Sequence, residues 1–380
     1  MRRIFAAVIS SFVIVSCSTT RLLESNAEHG KYIVGYLFCG DSLINGNDIE
    51  VEKLTHVIYA FANIKDGKIE QGFKNDAENF KILNQTKSRN PYLKILISVG
   101  GWTWSGGFSD MSLTDTSRAK FIKSAVSFIE ENNLDGIDID WEYPGLPGAG
   151  NAHRPEDKEN FTSLLKEMRN SLDNLGVKHN KHYLLTAATG ASGNYLANTE
   201  MGEDQKYLDF INLMTYDFCE PGSDSLAGHN APLFNNPRDP NHSSCDAMVQ
   251  AYVDAEVPSN KILLGVPFYG HVWQVTASDH HGLYEPGGMP KIRMRGSYEN
   301  IRLNLLNEEG FVRYWDSTSC APYLFNGSEK IFITYDDEES LHDKCKYIGA
   351  HELKGAMFWS YSSKYYELRL LQTLYDGLKP

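Results

Sequence analysis

The 380-residue chain has no run of lysines and arginines, and its 36 basic residues are outnumbered by 49 acidic ones, for a formal charge of −13. That excludes a nucleic-acid binder, which needs clustered cations to neutralise phosphates. Six cysteines are scattered at Cys17, Cys39, Cys219, Cys245, Cys320 and Cys345, with no CxxC and no Cys/His spacing suited to zinc. A small disulfide scaffold is excluded, and neither a metal nor another cofactor is expected. Cys320 with Cys345 is the first pair to test for a disulfide. No internal repeat or low-complexity tract is present, and no apolar run reaches the roughly 20 residues of a membrane-spanning helix. What is present is apolar material enough for a large core: 42% of the chain is hydrophobic and 12% of it is aromatic. A disordered chain is thereby excluded.

The amino terminus carries an address. Arg2 and Arg3 precede an apolar run from Ile4 to Val15, followed by small residues, which is the pattern of a secretory signal. The run ends Ile14-Val15-Ser16-Cys17, which resembles the bacterial lipobox, where the cysteine becomes the lipidated first residue of the mature protein. The expectation is a signal over residues 1–16, lipidation at Cys17 and a tether over 17–30. The protein is then secreted or membrane-anchored, extracytoplasmic, and touches a membrane only through that anchor. Ordinary signal cleavage near Cys17 is the alternative. Asn84, Asn160, Asn241 and Asn326 open N-x-S/T triplets that matter only in a eukaryotic secretory pathway.

From about Gly30 onward, short apolar runs alternate with helical patterns. Tyr32–Leu37, Leu54–Phe61, Leu93–Val99, Gly136–Glu142, Tyr183–Ala188, Phe210–Tyr216, Ile262–Pro267 and Ala356–Ser360 read as buried strands. Continuous apolar runs, rather than alternation, suit a parallel sheet covered on both faces. Phe121, Ile122, Ala125, Val126 and Ile129 mark one helix face. Phe161, Leu164, Leu165, Met168 and Leu172 mark another, with Pro155 placed for its first turn. Eight such repeats predict an α/β fold, a (β/α)8 TIM barrel, over a doubly wound sheet. From Gly270 to Gly355 the chain runs 85 residues, where one strand-to-strand step takes about 30. The surplus predicts a small α+β insertion subdomain over 271–333, between strand 7 and helix 7, at the mouth of the barrel. Strand-like pieces lie at Gly310–Trp315 and Lys330–Tyr335, and Asp337 to His351 reads as the barrel helix. The barrel is then built from residues 31–270 and 334–380.

The chemistry is concentrated in Asp135-Gly-Ile-Asp138-Ile-Asp140-Trp-Glu142-Tyr-Pro144. Alternate side chains of a strand share a face, so Asp138, Asp140 and Glu142 point the same way. Three carboxyls inside a barrel raise one another's pKa, and burial penalises their charge; a purely structural strand carries Val or Ile instead. Glu142 falls at the carboxyl end, where barrel active sites lie, and a carboxyl held protonated by acidic neighbours is what a general acid at neutral pH requires. A magnesium or calcium site needs oxygens from several directions, and no second acidic cluster offers them.

These residues resemble the D-x-x-D-x-D-x-E signature of glycoside hydrolase family 18, the retaining chitinases. The resemblance extends from Tyr32 to about Leu378 through four further motifs. They are Ser98-Val-Gly100-Gly101-Trp102, Met214-Thr-Tyr216-Asp217, Gly265-Val-Pro-Phe-Tyr269-Gly270 and Gly355-Ala-Met-Phe-Trp359. All five occur in order at predicted strand ends. The resemblance implies substrate-assisted catalysis, in which the 2-acetamido oxygen of the sugar is the nucleophile. Glu142 is then the general acid and base, Asp140 orients the acetamido N–H, and Asp138 shares a proton with Asp140. Tyr216 donates to the acetamido carbonyl, and Asp217 and Met214 line the same subsite.

Sugar rings pack their C–H faces on aromatic rings. The resemblance makes Trp359 the base of the −1 subsite, and Tyr36, Phe61 and Trp102 stand at the ends of the first three strands. Trp104, Trp273 and Trp315 are further candidates, whereas His280 and His281 read as solvated loop residues. Two departures stand out. His271 follows the Tyr-Gly pair where many members have Arg, and Ser360-Tyr-Ser-Ser-Lys364 stands where an acidic stretch is frequent. The implied partner is chitin or N-acetylglucosamine oligosaccharides, and the implied state is a monomer. The rival readings are an endo-β-N-acetylglucosaminidase acting on N-glycan cores and a chitin-binding lectin without catalysis.

Overall fold

The computed structural model of the protein describes residues 30–291, 296–306, 310–362 and 369–379. Cys17 and the expected signal lie outside them. Eight parallel strands follow one another around a closed barrel: Tyr32–Phe38, His56–Lys65, Lys94–Gly100, Gly136–Asp140, Leu184–Gly190, Phe210–Met214, Ile262–Pro267 and Gly355–Ser362. The first strand pairs with both the second and the eighth, which closes the ring. Helices such as Asp115–Glu131, Asp157–His179 and Glu338–Ala350 lie between successive strands. Among the described residues no helix is long and apolar enough to cross a membrane.

The reason the strands read as continuous apolar runs is visible in their two faces. Ile95, Ile97, Val99, Ile137 and Ile139 pack outward against helix residues such as Phe121, Ile129, Leu164 and Leu172. Val34, Ile58, Leu96, Phe210, Leu263 and Met357 fill the barrel interior. In the fourth strand Ile137 and Ile139 serve the outer core, and that alternation leaves Asp138 and Asp140 to the inside. The strands end earlier than their apolar runs suggest: the fourth stops at Asp140 and the sixth at Met214. Glu142 and Tyr216 therefore stand just beyond the ladder.

Capping fixes the helices around the site. Thr114 accepts from the Ser117 N–H at 3.1 Å and starts Asp115–Glu131. The helix expected at Pro155 begins instead at Asp157. The buried Asp157 carboxylate accepts from the N–H groups of Arg154 at 2.8 Å and Gly145 at 3.3 Å, and from Ser109 Oγ at 2.7 Å. One side chain thus clamps both ends of the loop that follows Glu142.

A second, antiparallel sheet of five strands runs in the order Gly287–Gly288, His271–Val275, Ile331–Thr334, Ala321–Asn326 and Phe311–Asp316. Trp273, Phe325 and Phe332 are in its core. Trp273 is completely buried, so it packs this sheet and presents no face to a sugar. The Cys320–Cys345 pair is not formed, and all five described cysteines are free. Cys345 is buried against Gly377 of the last helix, while Cys320 sits in the tight turn between two strands of this second sheet.

Candidate active site

The site is assembled where the third, fourth and sixth strands end. Gly100 and Gly101 have φ of 107° and 77°, values that L side chains rarely adopt. A Cβ on Gly100 would lie 2.2 Å from Asp140 O, and one on Gly101 would lie 2.7 Å from the Phe61 ring. Only glycine permits this approach, and it lets the Gly101 N–H donate to Asp140 O at 2.8 Å. Ser105 Oγ, 3.0 Å from the same carbonyl, accepts from the Glu142 N–H at 2.9 Å. The backbone on either side of Trp141 is thereby pinned.

The three carboxyls have sharply different surroundings. Asp138 is fully buried and accepts four hydrogen bonds. Thr186 Oγ1 at 2.6 Å and Asn212 Nδ2 at 3.2 Å reach one oxygen; Tyr36 OH at 2.9 Å and Ser98 Oγ at 2.8 Å reach the other. Burial raises its pKa and these donors pull it back. Asp140 has no such support: its Oδ1 is buried without a hydrogen-bond partner. Burial, then the charges of Glu142 and Asp138, hold Asp140 well above the usual carboxylate range. The negative charge of the trio therefore belongs on Asp138, where four donors stabilise it, and the proton on Asp140. Glu142 is raised to about 7, first by burial and then by Asp217 and Glu220, with a hydrogen bond from Tyr143 opposing.

On the facing side, Tyr216 packs its ring edge-on to Tyr269 at 6.2 Å. Burial, then the nearby Asp217, Asp140 and Glu142, push its hydroxyl well above the usual range, so it stays a donor. Asp217 adopts φ 57°, a conformation held by its N–H donating to Asn230 Oδ1 at 2.9 Å. Its carboxylate accepts from Tyr269 OH at 2.6 Å and contacts His271 Nε2 at 2.8 Å. Met214 is half-buried against the interior core.

Trp359 stands at the end of the eighth strand with Phe61 nearly parallel to it at 5.5 Å and Tyr36 at 6.0 Å. The aromatic surface continues through Phe38, 5.9 Å from Trp359, to Phe73 and then to Trp104, with steps of 5.8 and 5.0 Å. Trp102 projects into solvent, 51% exposed, near Tyr143. Trp315 lies under the Arg313 guanidinium, outside this surface. His280 and His281 are exposed, and His281 stacks on Tyr314 at 3.9 Å. The peptides Ala60–Phe61, Glu142–Tyr143 and Trp359–Ser360 are cis.

The structure therefore brings Glu142, Asp140, Asp138, Tyr216, Asp217, Met214, Tyr36, Phe61 and Trp359 to one end of the barrel, with Trp102 at its rim. It adds groups that sequence reading does not single out: Ser98, Thr186, Asn212, Tyr143 and Asn230. Ser98 lies within a recognised motif and the alternation of its strand aims it inward; Asn230 comes from a loop with no local signal. Such an arrangement can donate a proton from Glu142, orient an amide against Asp140 and Tyr216, and hold flat sugar faces on Trp359.

All of these residues fall within 29–363, the span that matches the model of the glycosyl hydrolases family 18, and the chain belongs to that family. It is 40% identical over 377 residues to "Chitinase A1" of Niallia circulans, covering 84% of this chain and 54% of that one. The chain thus spans about half the length of that relative. Among solved structures it is similar to a glycoside hydrolase family 18 N-acetylglucosaminidase from Paenibacillus barengoltzii. That likeness has TM-score 0.83 and 41% identity over 92% of this chain and 100% of the other. It is also similar to chitinase ChiA74 from Bacillus thuringiensis, with TM-score 0.85 and 34% identity over 92% and 70%.

Proposed function

We propose that the protein is a chitinase, hydrolysing β-1,4 bonds between N-acetylglucosamine units by substrate-assisted, retaining catalysis. The observation that carries this reading is the unequal treatment of the three carboxyls. Asp138 is saturated with donors, Asp140 keeps an oxygen free for an outside donor, and Glu142 is protonated up to about pH 7. Glu142 protonates the glycosidic oxygen and later takes a proton from the attacking water. Asp140, once it gives up its proton towards Asp138, accepts the acetamido N–H and stabilises the cationic oxazolinium ring. Tyr216 donates to the acetamido carbonyl, and Trp359 is the floor under the distorted sugar. No carboxylate nucleophile is needed, because the substrate brings its own.

The test separates substrates. The protein is incubated with chitin oligosaccharides and with a high-mannose glycopeptide, and the products are resolved by mass. Release of short N-acetylglucosamine oligomers is expected, with the glycopeptide intact; the reverse preference overturns the reading in favour of the N-glycan endo-enzyme. The likeness to the Paenibacillus N-acetylglucosaminidase, matched over that whole chain, favours a second reading within the same chemistry. In it the protein trims single sugars from chain ends, and monomer as the first product identifies it.

The acid also predicts a pH profile. Like charges raise a carboxyl's pKa, and Glu220 is one of those acting on Glu142. The basic limb of kcat/KM reports the acid in the free enzyme and is expected near pH 7. Glu220→Gln is expected to move that limb to lower pH; an unmoved limb contradicts the assignment of Glu142 as the acid.

The lipobox-like Ile14-Val15-Ser16-Cys17 supports an extracytoplasmic, lipid-anchored protein. Cys17→Ser is then expected to shift the chain from the membrane fraction to the soluble one, and unchanged fractionation contradicts the anchor.

A further inference from the structure

The same end of the barrel holds a cluster that the hydrolytic roles leave unused as a unit. Asp217, Glu220 and His271 bring three ligand atoms within 4.8 Å of one another. His271 Nε2 lies 2.8 Å from Asp217 Oδ1 and 3.9 Å from Glu220 Oε1. A tetrahedral zinc ion about 2.0–2.1 Å from each nitrogen and oxygen sets its ligand atoms roughly 3.3 Å apart, between these two separations. Closing the set around an ion therefore requires Asp217 to open from His271 and Glu220 to close on it.

The backbone under the cluster is fixed. His271 opens an inserted strand paired with Thr334, the Asp217 N–H is bound by Asn230, and the Glu220 N–H donates to Asp224 Oδ2 at 2.8 Å. The charges want a cation. Two carboxylates, Asp217 and Glu220, face the single imidazole of His271. One imidazole with two carboxylates suits zinc, whereas magnesium and calcium require a fuller shell of oxygens. The determining residue is His271. An arginine at this place, as the resemblance leads one to expect, has no lone pair to offer a metal.

We propose that the cleft mouth binds one zinc-class divalent ion through His271 Nε2, Asp217 Oδ1 and Glu220 Oε1, with water in the fourth position, and that the ion inhibits hydrolysis by withdrawing Asp217 from the cleft.

Calorimetric titration of the full chain with zinc chloride reads the binding directly, without substrate. One site per chain is expected, weakened about tenfold or more in both His271→Arg and Glu220→Gln. Magnesium chloride is expected to give no competition. Circular dichroism melting of each variant verifies folding. Undiminished affinity in His271→Arg, or no binding at millimolar zinc, overturns the site. The inhibitory part rests on the chitinase reading and is measured separately, as zinc inhibition of oligosaccharide cleavage that is relieved in His271→Arg. Failure of hydrolysis itself leaves the calorimetric result standing.

Discussion

Glu142→Gln is expected to lower kcat on chitin oligosaccharides by about two to four orders of magnitude, the usual contribution of a positioned general acid. The substitution keeps the side chain's shape, so KM is expected to stay within a few-fold, and a loss concentrated in KM contradicts a role in proton transfer. It also changes stability with a definite sign. A carboxyl whose folded pKa is raised binds its proton more tightly in the fold than in the unfolded chain. Its cost to the fold is absent below the unfolded value, grows as pH rises towards about 7, and is constant above. The glutamine variant is therefore expected to be more stable than the wild type at pH 8, by up to about 3 kcal/mol, and nearly equal to it at pH 4. Thermal unfolding at the two pH values checks this; a variant less stable at pH 8 contradicts the buried-acid assignment.

Asp140→Asn is expected to cost about two to three orders of magnitude in kcat, comparable to loss of one pre-set group facing developing charge. The argument rests on the unpartnered Oδ1. A buried acceptor without a donor is unfavourable in the free protein, and an acetamido N–H arriving with the substrate satisfies it. The amide cannot carry the negative charge that faces an oxazolinium ring. The fold is expected to persist, since no described hydrogen bond to Oδ1 is lost. Turnover within tenfold of the wild type contradicts substrate assistance.

The parts of the molecule that were legible in the sequence share a physical property. The barrel strands announce themselves because both faces are buried, and the interior acids stand out because Asp138 and Asp140 interrupt that apolar pattern at inward positions. The ends of strands were less legible. Glu142 and Tyr216 lie beyond the ladder, and nothing local distinguishes the last paired residue from the first free one. The second sheet is legible only in part. His271–Val275 and Ala321–Asn326 are strands, yet Pro322 near the start of the latter, paired with Trp315 on one side only, argues in the sequence against a central strand. Trp273 shows the limit for aromatics, since a ring filling a sheet core and a ring offered to a sugar have the same sequence. Asn230 and Thr186 act through contacts 13 and 48 residues away, and no spacing rule reaches that far.

The central claim is that the substrate's acetamido group attacks and Glu142 supplies the proton. Proton NMR of a chitin oligosaccharide during the first minutes of cleavage, before the new reducing ends mutarotate, tests it most directly. The account predicts β-anomeric product from the wild type and none from Glu142→Gln. First appearance of the α-anomer, or β-product formed equally fast by the variant, would contradict it.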